Sequence, residues 1–275
     1  MKRLVGLMFA IALLTWTSSG QATLWVLSDL NSSLTIDDAT TSEPAGVNSW
    51  IVDGNSHLYE QWFWYRAGSL GGESMLSSLA LSSASLGFGG RGLNLVYSGA
   101  GFTVDVTYLL TGGAAGSYTS DLAESIRINN TGTSALDFHF FQYSDFDLDN
   151  SPGGDTVQFP NANTVTQSGG VLTLSETVVT PSPDHHEADF YPILRGSLTD
   201  GSPTTLDDLP AIGGGSLTGD VSWGFQWDFA IAAGGSALIS KDKLLSPVPE
   251  PGSLILLGGG LLGAATAKLR RRFRA

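Results

Sequence analysis

The segment Asp145-Phe146-Asp147-Leu148-Asp149-Asn150-Ser151-Pro152-Gly153-Gly154-Asp155 is the densest acidic stretch of the chain. Alternate carboxylates followed by a glycine turn can bend oxygens around a hard cation. In a strand Asp145, Asp147 and Asp149 share one face, and three carboxylates side by side repel one another unless they are hydrated or metal-bound. The spacing starts like an EF-hand loop and then departs from it. Position six is Asn150 instead of Gly, and position twelve is Thr156 instead of Glu. Two readings stand: a Ca2+ site made by Asp145, Asp147, Asp149 and Asp155, and a solvated acidic loop.

Pro183-Asp184-His185-His186-Glu187-Ala188-Asp189 gathers imidazoles and carboxylates. Adjacent histidines on a strand point to opposite faces, and the helical i, i+4 spacing of zinc motifs is absent, so the segment reads as a polar surface loop. His57 and His139 stand alone among aromatics and read as structural. Trp62, Trp64 and Tyr65 surround Phe63 beside Glu60, Gln61 and Arg66. If exposed, such aromatics can stack on sugar faces; if buried, they serve the core. A hydrolytic carboxylate pair is a matter of spatial separation, and with so many acids some pair is inevitable. There is no Gly-x-Ser-x-Gly elbow and no phosphate-binding loop.

The elements that must position these groups are strands. Phe102, Val104, Val106, Tyr108 and Leu110 alternate with Thr103, Asp105, Thr107, Leu109 and Thr111, a period of two. Val221, Trp223, Phe225, Trp227, Phe229 and Ile231 do the same over eleven residues, and one such face must cover a core. Gly234-Gly235 then predicts a hairpin into a partner strand at Ala237 to Ser240. Further strands are expected at 24–27, 49–52, 61–66, 125–129, 136–143, 156–160, 164–167 and 171–179, with Met75 to Leu86 readable as a strand pair or a short helix. Strands at short intervals, Gly-rich turns and no alternating helices predict an all-β fold: a β-sandwich, with a jelly roll or closed barrel as the competitor. Ser246 to Gly252 reads as a linker.

Composition limits the partners. Residues 23–247 hold 6 Lys and Arg against 25 Asp and Glu, a formal charge of −19. Such a body repels nucleic acid and anionic membrane surfaces and attracts cations. The chain has no Cys, which removes thiol catalysis and thiolate metal sites. A core of this size needs no disulfides outside the cell.

Both termini carry targeting features. Lys2-Arg3, the apolar run Leu4 to Leu14 and the small residues up to Ala22 have the layout of a secretory signal peptide, residues 1–22, cut after Ala22. At the other end stand Val248-Pro249-Glu250-Pro251-Gly252, the uncharged run Ser253 to Ala267, and Lys268, Arg270, Arg271, Arg272 and Arg274. As a helix the run is roughly 22 Å long, shorter than a hydrocarbon core of roughly 30 Å. The basic end predicts that the C-terminus stays cytoplasmic, with the body outside the inner membrane. The two prolines keep the residues before the run extended and accessible.

These residues, Val-Pro-Glu-Pro followed by an apolar run and Arg270-Arg271-Arg272, closely resemble the PEP-CTERM sorting signal of Gram-negative bacteria. The resemblance implies three parts: residues 1–22 a signal peptide, 23–247 an extracellular domain and 248–275 a sorting signal read at Pro249, Glu250 and Pro251 by an exosortase. It implies passage through the Sec machinery and signal peptidase, a transient stay in the inner membrane, and delivery to the cell surface or matrix, in association with exopolysaccharide or biofilm. Stretches such as Asp137 to Leu148, Val221 to Phe229 and Ser240-Lys241-Asp242-Lys243 resemble β-domains carried by other PEP-CTERM proteins, which implies placement and no chemistry. The expected function is that of a non-catalytic surface or matrix protein, with a carbohydrate-binding module or a secreted glycoside hydrolase as the alternatives.

Overall fold

Strict alternation along the chain turns into alternating burial. In Phe102–Gly112 every second side chain from Phe102 to Leu110 is buried, and the residues between them are half-exposed. The computed structural model describes residues 23–38 and 46–248. The expected signal peptide, Pro249-Glu250-Pro251, the apolar run and the basic tail lie outside the described residues. The strands are β1 (Leu24–Asp29), β2 (Ser32–Asp37), β3 (Gly46–Val52), β4 (Asn55–Ser56), β5 (Glu60–Ala67), β6 (Ser74–Met75), β7 (Ala80–Gly87), β8 (Gly92–Gly99), β9 (Phe102–Gly112), β10 (Ser120–Asn130), β11 (Leu136–Asp145), β12 (Asp155–Asn161), β13 (Thr164–Gly169), β14 (Leu172–Thr180), β15 (His185–Phe190), β16 (Ser216–Gly219), β17 (Val221–Ile231) and β18 (Ser236–Pro247). One short helix, α1 (Ile193–Ser197), follows β15.

The strands form two sheets. The first runs β1-β2-β3-β5-β11-β17-β15, with β4 on β3 and β6 on β5; the second runs β16-β12-β13-β14-β18-β10-β9-β8-β7. Every pairing is antiparallel. This is the expected all-β sandwich. Its core is aromatic: Trp223, Phe225 and Trp227 of β17 are fully buried. Phe225 meets Phe159 of the opposite sheet edge-on at 5.7 Å between centroids, a geometry that adds to plain area burial.

Four expectations change. The Gly234-Gly235 turn does not make a hairpin: β17 already pairs with β11 and β15, so the chain crosses to the other sheet and β18 inserts between β10 and β14. The expected linker begins later, because Ser246 and Pro247 belong to β18 and the Val248 N–H donates to Val171 O at 2.8 Å. Met75 to Leu86 becomes a 3-10 turn at Leu76–Ser78 followed by β7. His185 and His186 lie on strand β15 instead of in a loop; His186 is buried against Phe159, with ring centroids 4.3 Å apart.

The interior also holds a cluster of four ionisable side chains. Lys241 and Lys243 of β18, Glu124 of β10 and Glu176 of β14 are all buried. Register places Glu124 opposite Lys241, and Glu176 opposite Lys243. Both lysines donate to Glu124, and Lys243 reaches Glu176 at 2.9 Å and Lys241 at 3.4 Å. Gln142 of β11 donates to Glu176 from the other sheet at 2.9 Å.

Candidate functional site

Because Gln142 and Ser144 point inward, alternation turns Tyr143 and Asp145 to the opposite face of β11. There Asp145 stands at the strand's C-terminal end, buried, and accepts a hydrogen bond from the Tyr143 hydroxyl at 3.1 Å. Asp147 follows two residues later. Asp220, immediately before β17, completes a group of three carboxylates. One oxygen from each lies within 4.8 Å of the others. Together with Tyr59, Pro152 and Tyr191 they line a cleft of about 220 Å³. Tyr59 and Tyr191 are partly exposed and meet edge-on at 5.8 Å.

The electrostatics follow from crowding. Burial pushes the Asp145 carboxyl up to about 7; Asp147, and then Asp220 and Glu60, add to the rise, and the Tyr143 hydroxyl opposes it. Burial also pushes Asp147 up to about 6, with Asp220 and Asp155 contributing. Two of the three acids therefore resist ionisation near neutral pH unless a positive charge joins them. Calcium–oxygen distances are 2.3–2.6 Å, so two oxygens on one ion are no more than about 5 Å apart. The trio meets that limit.

The trio differs from the set expected from sequence. Asp145 and Asp147 belong to it; Asp149 and Asp155 do not. Asp149 takes a left-handed backbone, φ 57°, inside the 3-10 turn Leu148–Asn150, and its carboxylate accepts from Asn55 at 3.0 Å. Asp155 turns inward and accepts from the Leu148 N–H at 3.2 Å and from Gln167 at 2.7 Å, so it pins the loop from below. The chain coils after Asp147 and breaks the shared face. Asp220, from a segment more than seventy residues away in sequence, takes the vacated place.

The stacking platform is corrected as well. Trp62 and Trp64 are buried, the first donating to Ser77 at 3.2 Å and the second edge-on to Tyr143 at 5.8 Å. Tyr65 is half-buried and stacks on Phe138 at 5.8 Å. Trp62 and Trp64 offer no free face, and the Tyr65 ring is taken up by Phe138 and Phe102. The exposed aromatic pair beside polar groups is Tyr59–Tyr191 instead.

Among curated proteins none matches the chain in sequence. In fold it is similar to a bacterial glucoamylase whose structure was solved with acarbose: TM-score 0.57, 10% identity, covering 87% of this chain and 36% of that one. It is also similar to a protein assigned as an aldose 1-epimerase from Escherichia coli K12: TM-score 0.54, 11% identity, covering 83% of this chain and 100% of that one. Such likeness is one of fold alone. The chain spans only about a third of the glucoamylase. The C-terminal end is more specific. Residues 247–272 match the family model for the PEP-CTERM protein-sorting motif, starting at the last residue of β18. The chain is thus a β-sandwich whose last strand runs into a stretch that matches the PEP-CTERM protein-sorting motif.

Proposed function

We propose that this is a non-catalytic protein of the cell surface or extracellular matrix, exported through the Sec route, freed of residues 1–22 and processed by an exosortase at Pro249-Glu250-Pro251. The observation that carries the reading is the sorting motif at 247–272. In this reading the sandwich holds one Ca2+ among Asp145, Asp147 and Asp220, and the ion fixes the Asp147–Asp155 loop. The convergence of three carboxylates, two of them crowded toward their protonated forms, supports an ion. Calcium should raise the folding stability by RT ln(1 + [L]/Kd), read as a higher melting temperature. Equal shifts with Ca2+ and Mg2+ would reduce the effect to screening of an acidic body and end the site reading.

A second reading has the same cleft bind saccharide from the producer's exopolysaccharide. The Tyr59–Tyr191 pair beside the carboxylates favours it, and the sugar-active enzymes of similar fold are compatible with it. Affinity electrophoresis in gels containing the native polysaccharide tests it: retardation lost in Tyr59→Ala and Tyr191→Ala supports sugar binding. Retardation unchanged in both removes the cleft as the binding site.

A further inference from the structure

The end of the sandwich from which β18 leaves toward the sorting motif is built differently from the opposite end. Three hairpin tips there carry a large apolar or aromatic residue in the left-handed region: Leu30 (φ 48°) between β1 and β2, Phe88 (φ 51°) between β7 and β8, and Tyr118 (φ 52°) between β9 and β10. Side chains with a Cβ rarely adopt that conformation. They are held outward in it, Leu30 82%, Phe88 65% and Tyr118 40% exposed. Val171, in the turn between β13 and β14, is 72% exposed, and Val248 is 42% exposed.

Register shows that these tips share one end. Ser120, just after the Tyr118 turn, pairs with Leu245, and Leu172 pairs with Pro247. Gly87 pairs with Gly92, which in turn faces Leu109 near the end of β9. Polar ties lock the tips to each other. Asp29 accepts from the Gly112 N–H at 2.9 Å and lies 3.7 Å from Arg91. Asn31 accepts from the Gly113 N–H at 2.8 Å and donates to Asp53 at 2.8 Å. Asp53 accepts from the Gly116 and Tyr118 N–H groups at 2.6 and 2.8 Å. Loops tied this way cannot fold their apolar tips inward.

We propose that this end is a docking face for the lipid bilayer, which seats the sandwich on the membrane while the precursor awaits cleavage. The inference rests on the reading of the tail as a membrane segment. What commits the face to lipid is where the chain goes next. From Val248 to Ser253, where the apolar run begins, the backbone spans at most about 18 Å. Val248, its neighbour Val171 and the end of the sandwich that carries the other tips are therefore kept within that distance of the bilayer surface whenever that run is in it. Residues 23–247 carry −19, and Asp29, Asp53 and the acidic Asp147–Asp155 loop, whose Asp149 accepts from Asn55 and whose Gly154 lies beside Val248, stand at the same end, so the contact is apolar insertion of the tips at a zwitterionic surface and not attraction to anionic headgroups.

The chain has no Cys, so single-cysteine labelling is clean. Full chain carrying Leu30→Cys, Phe88→Cys or Val171→Cys with an environment-sensitive fluorophore is placed in phosphatidylcholine proteoliposomes containing an acyl-chain quencher. Thr133→Cys, in the turn between β10 and β11 at the opposite end, is the control. The expected result is several-fold stronger quenching at the three tips than at Thr133, lost when the other two tips are changed to Ser. If the chain floats with the vesicles and the tips are quenched no more than Thr133, docking is wrong and the tail reading survives. If the chain does not float with the vesicles, the tail reading itself falls and docking with it. Tip protection that needs the co-reconstituted sorting protease would assign the face to a protein and overturn the lipid proposal.

Discussion

Glu124→Gln should be among the most damaging isosteric changes in the sandwich. Burial works against the Glu124 charge, but Lys241 and Lys243 outweigh it and hold its carboxyl down to about 2. The four side chains of the cluster sum to zero charge, with no exposure to water. Neutralising Glu124 leaves one uncompensated positive charge between the sheets, with only Glu176 to share between two lysines. Breaking a buried pair in this manner costs about 3–5 kcal/mol, a large fraction of a typical stability of about 5–15 kcal/mol. Removing charge in balance should be gentler. Glu124→Leu with Lys243→Met leaves Lys241 and Glu176 as a neutral pair, and apolar replacement of buried ions is often tolerated. Urea unfolding at fixed pH measures each variant, with a constant m-value as the check on two-state behaviour. The double variant should lose at least about 2 kcal/mol less than the sum of its single changes. Additive losses, or a loss under about 1 kcal/mol for Glu124→Gln, would refute a coupled buried quartet.

Other outcomes follow from the core and the cleft. Phe225→Asp should abolish folding, because an unpaired carboxylate would replace a ring packed against Phe159, Trp223 and Trp227; a native-like near-UV spectrum for that variant would contradict the packing. In the metal-free protein Asp145 keeps its proton up to about pH 7, well above its unfolded value of about 3.9. Stability from this group is therefore fully present below about pH 4 and lost as pH rises through about 7. Melting temperature in EDTA should fall between pH 5 and 8, and Asp145→Asn should flatten the fall; an unchanged slope removes Asp145 as its source. Asp147→Asn should lose most of the Ca2+-specific gain in melting temperature, and a variant that keeps it would exclude Asp147 as a ligand.

The sequence made the sandwich legible where one face is apolar and the other polar, as in β9 and β17. It hid β15 and β16, whose histidines, acids, serine and glycine lack the β-branched and aromatic enrichment that marks a strand, whereas β2 and β8 carry short period-two faces, Leu34 and Ile36, and Leu93, Leu95 and Tyr97, set among serines, glycines and an asparagine that read as turns. The crossing from β17 to β18 was also hidden, since Gly234-Gly235 permits a tight turn whether the next strand joins the same sheet or the other. Half of the carboxylate site was legible, because Asp145 and Asp147 are near neighbours in the chain. Asp220, Tyr59 and Tyr191 were not, because only the pairing of β11 with β5 and β17 brings their segments together. The buried quartet left a faint signal: Lys241 and Lys243 share the period-two face of Ile239 and Leu245, Glu124 that of Leu122 and Ile126, and Glu176 that of Leu174 and Val178. Charges on the apolar phase of three strands mark a buried ionic cluster.

On the function proposed above, residues 247–272 route this sandwich out of the inner membrane by proteolytic sorting. The most direct test is the intact mass and location of the native protein in producing cells with and without the sorting exosortase, alongside Glu250→Ala. In the first cells the protein should be a surface or extracellular species that lacks residues 1–22 and the basic tail. Without the enzyme, or with Glu250→Ala, it should be an inner-membrane species that keeps the tail. A tail-free protein at the surface in all three cases would contradict this routing.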